Sequence, residues 1–525
     1  GDVNGDGIPD VWMSLSNGAG ARFNVSSGTT SFLESTGLSD YKLYNAKSQI
    51  LDLNNDGQKE IISLGLTNTT SSAKLKLYVL KYSKLDNSLT TIDESTQVTS
   101  LTASSFDFGD YDQDQDIDFL ISGFSASSGL KSFLYTNETL PSESLSIKQT
   151  SNNLVAVRDG STDFIDFDSD GDMDVVFTGT SISGDVFEIY LNQLNEGKQD
   201  WPRISTNLSG IRNSKIDLGD FNGDGYTDIL YSGTLEGSGD VTKLSEYDPT
   251  SKKYVDSDFD LSDIINATVE FGDLDGDGDL DFCIAGKDKN NVGQNIFRTY
   301  RNYRNESAAV KGSSSPANGP MLSSQSSPTY TKNQAPVAPE GLKASVLEVG
   351  SSSKPNVVEF LWEASADDHT PSPGLTYAFI IGTTSKGEEI LSSDASDSGV
   401  RLAATQGNVG HTLKWKIALP DGKYYWSVQA IDAAKIGSSF SAESTLQLNV
   451  GVLDDNNAPS LSDTTFTLVE NSANGTMIGT IKGTDPDADT LTYTIKSGNT
   501  LQAFSLDSKS GELKVINSVA LDFET

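Results

Sequence analysis

The chain has 525 residues, with 74 Asp and Glu against 37 Lys and Arg, a formal net charge of −37, and a single cysteine. That acidic surplus disfavours nucleic acid and anionic membranes as partners; one cysteine excludes an internal disulfide framework; and no apolar run reaches the roughly 18 residues of a membrane-spanning helix. The length predicts three or four domains. The chain opens without Met or a leader-like segment and is expected to be a processed or partial chain, with further domains of the same protein at both ends.

In chain order, the first feature is a decapeptide that recurs six times. It reads GDVNGDGIPD, LDLNNDGQKE, GDYDQDQDID, IDFDSDGDMD, GDFNGDGYTD and GDLDGDGDLD. Counted from the first acid, positions 1, 3, 5 and 9 carry oxygen side chains. They are Asp2, Asn4, Asp6 and Asp10; Asp52, Asn54, Asp56 and Glu60; Asp110, Asp112, Asp114 and Asp118; Asp166, Asp168, Asp170 and Asp174; Asp220, Asn222, Asp224 and Asp228; and Asp273, Asp275, Asp277 and Asp281. Alternate hard oxygens with a glycine at position 6 reproduce the first part of a Ca²⁺ loop, and Ca²⁺ takes six to eight such ligands. Two unit charges about 4 Å apart repel by roughly 4 kcal/mol at an effective dielectric near 20, so a loop of this kind needs a cation or must stay open. The bland reading is a solvated Asp/Asn/Gly turn, but ordinary turns do not hold four ligand positions in register six times. The loops contain 24 of the chain's 74 acids, so the acidity is in part a metal reservoir. Loop two ends in Glu60 and loop three has Gln115 at the glycine position; both are expected to be the weaker sites.

The loops begin at residues 2, 52, 110, 166, 220 and 273, a period slightly above 50 with strand signals and no helical periodicity between. This predicts an all-β fold, a Ca²⁺-binding β-propeller with one blade per repeat, with a β-solenoid as the competing repeat fold. Cys283, in the strand after loop six, reads as a small core residue rather than a reactive thiol. Residues 305–332 are rich in Ser and Pro and read as a linker. Residues 333–451 show sandwich patterning, with Tyr424, Trp426, Val428 and Ala430 on one face at period two, and 452–525 form a further β domain. The two histidines, His369 and His411, both fall in the first sandwich, and no phosphate-binding glycine loop occurs, so no catalytic residue is assigned.

The motif FGDxDGDGDxD, followed by a strand ending in glycine, resembles the FG-GAP or VCBS repeats of integrin α-type propellers and of secreted bacterial proteins. The resemblance covers residues 1–304 and implies Ca²⁺ in hairpin loops on one face; family members often have seven blades, and six loops are visible here. Leu419, Gly422 and Tyr424 resemble the corner of fibronectin type III domains, which implies a spacer. FTLVENSANGTMIGTI, TDPDADTLTYTI, FSLDSKSGEL and LDFE resemble a cadherin repeat cut short at its end. That resemblance implies further Ca²⁺ ligands in Glu470, Asp485, Asp487, Asp522 and Glu524, with Asp454, Asp455 and Asn456 in the entering linker. Together these imply an exported, extracellular, Ca²⁺-dependent adhesion protein, probing a protein or glycan ligand with its propeller as head and its sandwiches as stalk. The alternative is a non-catalytic accessory region of a secreted multidomain enzyme, and a glycosidase or lyase at the propeller centre is a third reading.

Overall fold

A computed structural model of the chain describes residues 1–14, 21–26, 32–34, 43–67, 75–83, 88–95, 101–302 (apart from 126, 140–145, 151, 199, 258, 262–263, 276 and 292), 333–350, 354–448, 459–485 and 490–521. The fold is all-β: helix among these residues is confined to three short 3₁₀ turns. Among the described residues no helix is long and apolar enough to cross a membrane. Two compact units divide the chain, residues 1–350 with 354–448, and 351–353 with 449–525.

In the first unit, six successive antiparallel meanders follow one another among the described residues. The fourth is representative: Thr162–Ile165, Asp174–Ser181, Gly184–Tyr190 and Arg203–Ile204 pair in chain order. Its second strand is apolar on both faces, with Val175, Val176 and Phe177 fully buried, because neighbouring sheets cover each side. Each such side chain contributes roughly 1.5–3 kcal/mol by leaving water. Cross-strand aromatic pairs recur in register, Phe119 stacked on Tyr135 at 4.7 Å and Phe282 on Tyr300 at 4.6 Å.

Neighbouring sheets are fastened through the residue three places before loops two, three and five. Asp107 accepts the Phe164 N–H at 2.9 Å, Asp217 accepts the Phe271 N–H, and the Gln49 amide donates to Asp107 at 2.6 Å.

Residues 343–448 form two three-stranded sheets. One orders Lys343–Glu348, Asn356–Leu361 and Lys414–Leu419; the other orders Thr376–Gly382, Gly422–Ile431 and Ser444–Leu448. Phe360, Phe379, Trp415 and Trp426 pack between them, and the Tyr424 hydroxyl donates to Pro420 O at 2.7 Å, closing the expected corner. This sandwich is not the free spacer that its resemblance implies. Its loops lie against the repeated acidic loops: Ala418 N–H donates to Asn55 O at 3.0 Å, Asp220 N–H to Ala433 O at 3.1 Å, and Asp2 N–H to the Asp394 carboxylate at 2.8 Å. The correction has a physical reason: the acidic loops present backbone groups left unpaired by the turns, and a second set of turns satisfies them. Gly225 shows how close the approach is, since a Cβ there would stand 2.2 Å from His369 O.

The second unit contains the pair Ser460–Leu461 with Gly483–Thr484 and the three-stranded sheet Met477–Thr480, Glu512–Val515, Phe504–Leu506.

Candidate metal loops

All six decapeptides adopt one geometry. The position-1 carboxylate accepts the N–H of position 6, at 2.7–3.2 Å, in Asp2, Asp52, Asp110, Asp166, Asp220 and Asp273. The position-5 carboxylate accepts the N–H of position 7, at 3.0–3.3 Å, in Asp6, Asp56, Asp114, Asp170, Asp224 and Asp277. The position-9 carboxylate accepts the N–H of position 2, at 2.8–3.2 Å, in Asp10, Glu60, Asp118, Asp174, Asp228 and Asp281. Position 6 lies in the left-handed region throughout, at φ 80°, 84°, 92°, 86° and 86° for Gly7, Gly57, Gly171, Gly225 and Gly278, and at 78° for Gln115. Gln115 therefore carries the backbone penalty that its side chain predicts.

These turns draw the side-chain oxygens inward. One oxygen from each of positions 1, 3 and 9 comes within 4.8 Å of the others in loop three (Asp110, Asp112, Asp118), loop four (Asp166, Asp168, Asp174) and loop six (Asp273, Asp275, Asp281). Asp112 Oδ1, Asn222 Oδ1 and Asp277 Oδ2 are buried with no hydrogen-bond partner. Buried oxygens without donors cost about 1–3 kcal/mol each, and a hard cation is the partner that this donor set fits. Burial above all, with adjacent carboxylates adding to it, pushes the acids up: Asp110 and Asp166 to about 8, Asp174 to about 9, and Asp52, Asp220 and Asp281 to about 7. Loops one, two and five have Asn at position 3; Asn4 donates its amide to Asp6 and Asp10 at 3.2 and 3.3 Å.

Two loops hold a protein cation. The Lys81 ammonium binds Asp56 and stands 3.9 Å from Glu60 in loop two, and Arg301 binds Asp275 in loop six. Sequence reasoning missed both, since each base lies on the third strand or just past it, beyond the motif.

The motif also hides a second-layer residue. The other oxygen of the position-9 acid accepts a backbone N–H just past the third strand or within it: Asn137, Asn192, Tyr247 and Asn302 in sheets three to six. Three of these are Asn, and their side-chain amides reach back to the preceding loop, Asn137 to Leu53 O at 3.0 Å, Asn192 to Tyr111 O at 2.8 Å and Asn302 to Phe221 O at 2.8 Å. The signal was present as Tyr-x-Asn (Tyr135 to Asn137, Tyr190 to Asn192, Tyr300 to Asn302).

Other expected residues stand apart. In the second unit Glu470 is exposed and Asp485 half-buried, while Asp454, Asp455, Asn456, Asp487, Asp522 and Glu524 lie outside the described residues. Cys283 is half-buried between Glu270 and Thr299. His411 sits against loop four, its Nδ1 3.2 Å from Leu375 O and 3.7 Å from Asp166 Oδ2, and burial lowers it to about 4. A recess of about 660 Å³ lies between the inner strands and the sandwich, bordered by Trp12, Gln49, Arg401, Asn408 and Trp415 among others.

A family model described as an FG-GAP-like repeat matches residues 166–231, spanning loops four and five. Comparison with curated proteins finds no match. Among solved structures, the chain is similar to the α-L-arabinofuranosidase Arb93A of Fusarium graminearum in complex with an iminosugar inhibitor, at 10% identity and a TM-score of 0.34, over 54% of this chain and 84% of that one. It is also similar to cadherin domains 3–6 of protocadherin gamma B2, at 13% identity and a TM-score of 0.20, over 83% and 88%, and to the protocadherin gammaB4 extracellular domain, at 12% and 0.17, over 97% and 89%.

Proposed function

We propose that this chain is a recognition and adhesion region of an exported surface protein, with Ca²⁺ in its six loops setting the shape of a propeller, and with no catalytic role of its own. The observation that carries the reading is the common turn geometry of the six loops, with acidic oxygens converging in loops three, four and six and buried oxygens left without donors in loops three, five and six. Millimolar extracellular Ca²⁺ suits loops of this type, which supports an extracellular location. Asp2, Asp52, Asp110, Asp166, Asp220 and Asp273, with their partners at positions 3, 5 and 9, would hold the ions, which supply charge neutralisation and rigidity. Because the sandwich covers part of these loops, the recognition surface lies on the remaining faces of the propeller or in the recess beside Trp12 and Trp415.

The test is a screen of the whole chain against extracellular glycans and proteins with Ca²⁺ and with chelator. Binding that requires Ca²⁺ supports the reading; binding that is equal in chelator refutes it.

A further inference from the structure

Beside its ligand Asp170, loop four meets two acids that the metal motif does not use, Asp172 and Glu196. Asp170 is its position-5 residue, Asp172 its position-7 residue, and Glu196 lies in the turn after strand Gly184–Tyr190. The fold brings one carboxylate oxygen of each within 4.8 Å of the others. Asp172 is 1% exposed; its Oδ2 accepts the Asn195 N–H at 3.1 Å, while its Oδ1 is buried with no hydrogen-bond partner. The Asn195 side chain donates to Asp170 O at 2.9 Å, and Gln113 from the neighbouring loop donates to Gly171 O at 3.0 Å. Neutral groups thus clamp the turn onto the loop and hold Glu196 against two other acids.

Among the described residues no protein cation forms an ion pair with these three acids. Lys198, the basic residue of the turn, donates to Gln193 at 3.3 Å instead, and the charged groups that act on Asp172 are Asp170 and Asp168, both acidic. Loops two and six differ here, since Lys81 and Arg301 supply a positive charge. We propose that Asp170, Asp172 and Glu196 form a second cation site beside loop four, taking a hard divalent ion such as Ca²⁺ and sharing Asp170 with the loop's own site. Three carboxylates select a hard ion and exclude the soft metals. An ion there ties the turn to the loop under which His411 sits, so this corner of the molecule is cross-linked twice. The proposal rests on the calcium reading of loop four through Asp170 alone.

The experiment counts Ca²⁺ per chain, by native mass spectrometry and by calorimetric stoichiometry, in the whole chain and in the variants Glu196→Gln and Asp172→Asn. Glu196 is exposed, so its substitution leaves packing intact, and Asp166, Asp168, Asp170 and Asp174 remain to fill the loop. Each variant is expected to bind one ion fewer than the wild type, with an unchanged thermal midpoint in chelator for Glu196→Gln. Equal ion counts in the wild type and Glu196→Gln overturn the site, as does loss in Asp172→Asn alone, since a buried acid can act through loop packing. A wild type that binds no ion at all overturns the loop reading as well, whereas filled loops with no loss in Glu196→Gln overturn this site only.

Discussion

Replacing Asn137 with Ala should destabilise the six-sheet unit without touching a candidate metal ligand. Asn137 is fully buried, and its side chain makes three hydrogen bonds: the amide donates to Leu53 O at 3.0 Å and to Ile117 O at 3.1 Å, and the oxygen accepts Thr139 N–H at 3.1 Å. The first of these bonds joins groups 84 positions apart, loop two to the end of a strand in the third sheet. Each bond is worth about 1 kcal/mol net, and the truncation leaves two carbonyls and one N–H buried with nothing in their place. About 3 kcal/mol is therefore lost, which in a cooperative unit of this size lowers the midpoint by about 3–5 °C. Differential scanning calorimetry at saturating Ca²⁺ measures this directly. Asn137→Asp is the sharper control: it keeps the acceptor for Thr139 but turns a second acceptor toward two carbonyls, so it should cost at least as much. A fall of less than 2 °C in both variants would show that the sheets are held by strand packing alone and that the Tyr-x-Asn repeat is incidental.

The remaining predictions concern the loops. Gln115→Gly should tighten Ca²⁺ binding at loop three, because it removes a left-handed penalty of about 1 kcal/mol while Gln115 O still accepts the Asn55 amide; weaker binding in calorimetry would mean that the Gln115 side chain supports the loop. Lys81→Met should raise the Ca²⁺ affinity of loop two, since the ammonium now answers Asp56 and Glu60; an unchanged titration would refute the competition. In chelator the protein should lose stability as pH rises from 5 to 8. The loop acids have folded-state values raised to about 7–9 from an ordinary 3.8, so the folded state holds more protons than the unfolded state in that window, and each such acid costs up to about 1.4 kcal/mol per pH unit. Saturating Ca²⁺ should flatten the slope, and a chelated midpoint that rises with pH would contradict the burial of these acids. At the other extreme, burial alone would raise Asp394, but Lys59 at 2.7 Å holds it near 2. Its stabilising contribution is present above about pH 4 and lost as pH falls through 2, and Lys59→Met should abolish it and loosen the sandwich in limited proteolysis; an unchanged cleavage pattern would place the seating energy elsewhere.

What the sequence determined by itself is local. A nine-residue window contains every donor and acceptor of the loop turns, so the positions of Asp110, Gln115 and Asp118, the left-handed turn, and the strand that follows could be read directly from spacing. Strand alternation and the period near 50 likewise predicted the all-β repeat, because each sheet is a contiguous stretch of chain. Contacts between distant stretches were decided only by the tertiary structure. Lys81 and Arg301 reach acids from strands outside the motif, Glu196 meets Asp172 through a turn on another strand, and the Asn amides cross from one sheet to the next. The seating of the sandwich on the acidic loops was the least legible, because it rests on backbone groups such as Asn55 O and Ala433 O. Every residue has those groups, so no residue identity announces the contact, and only the approach of two sets of turns makes them partners.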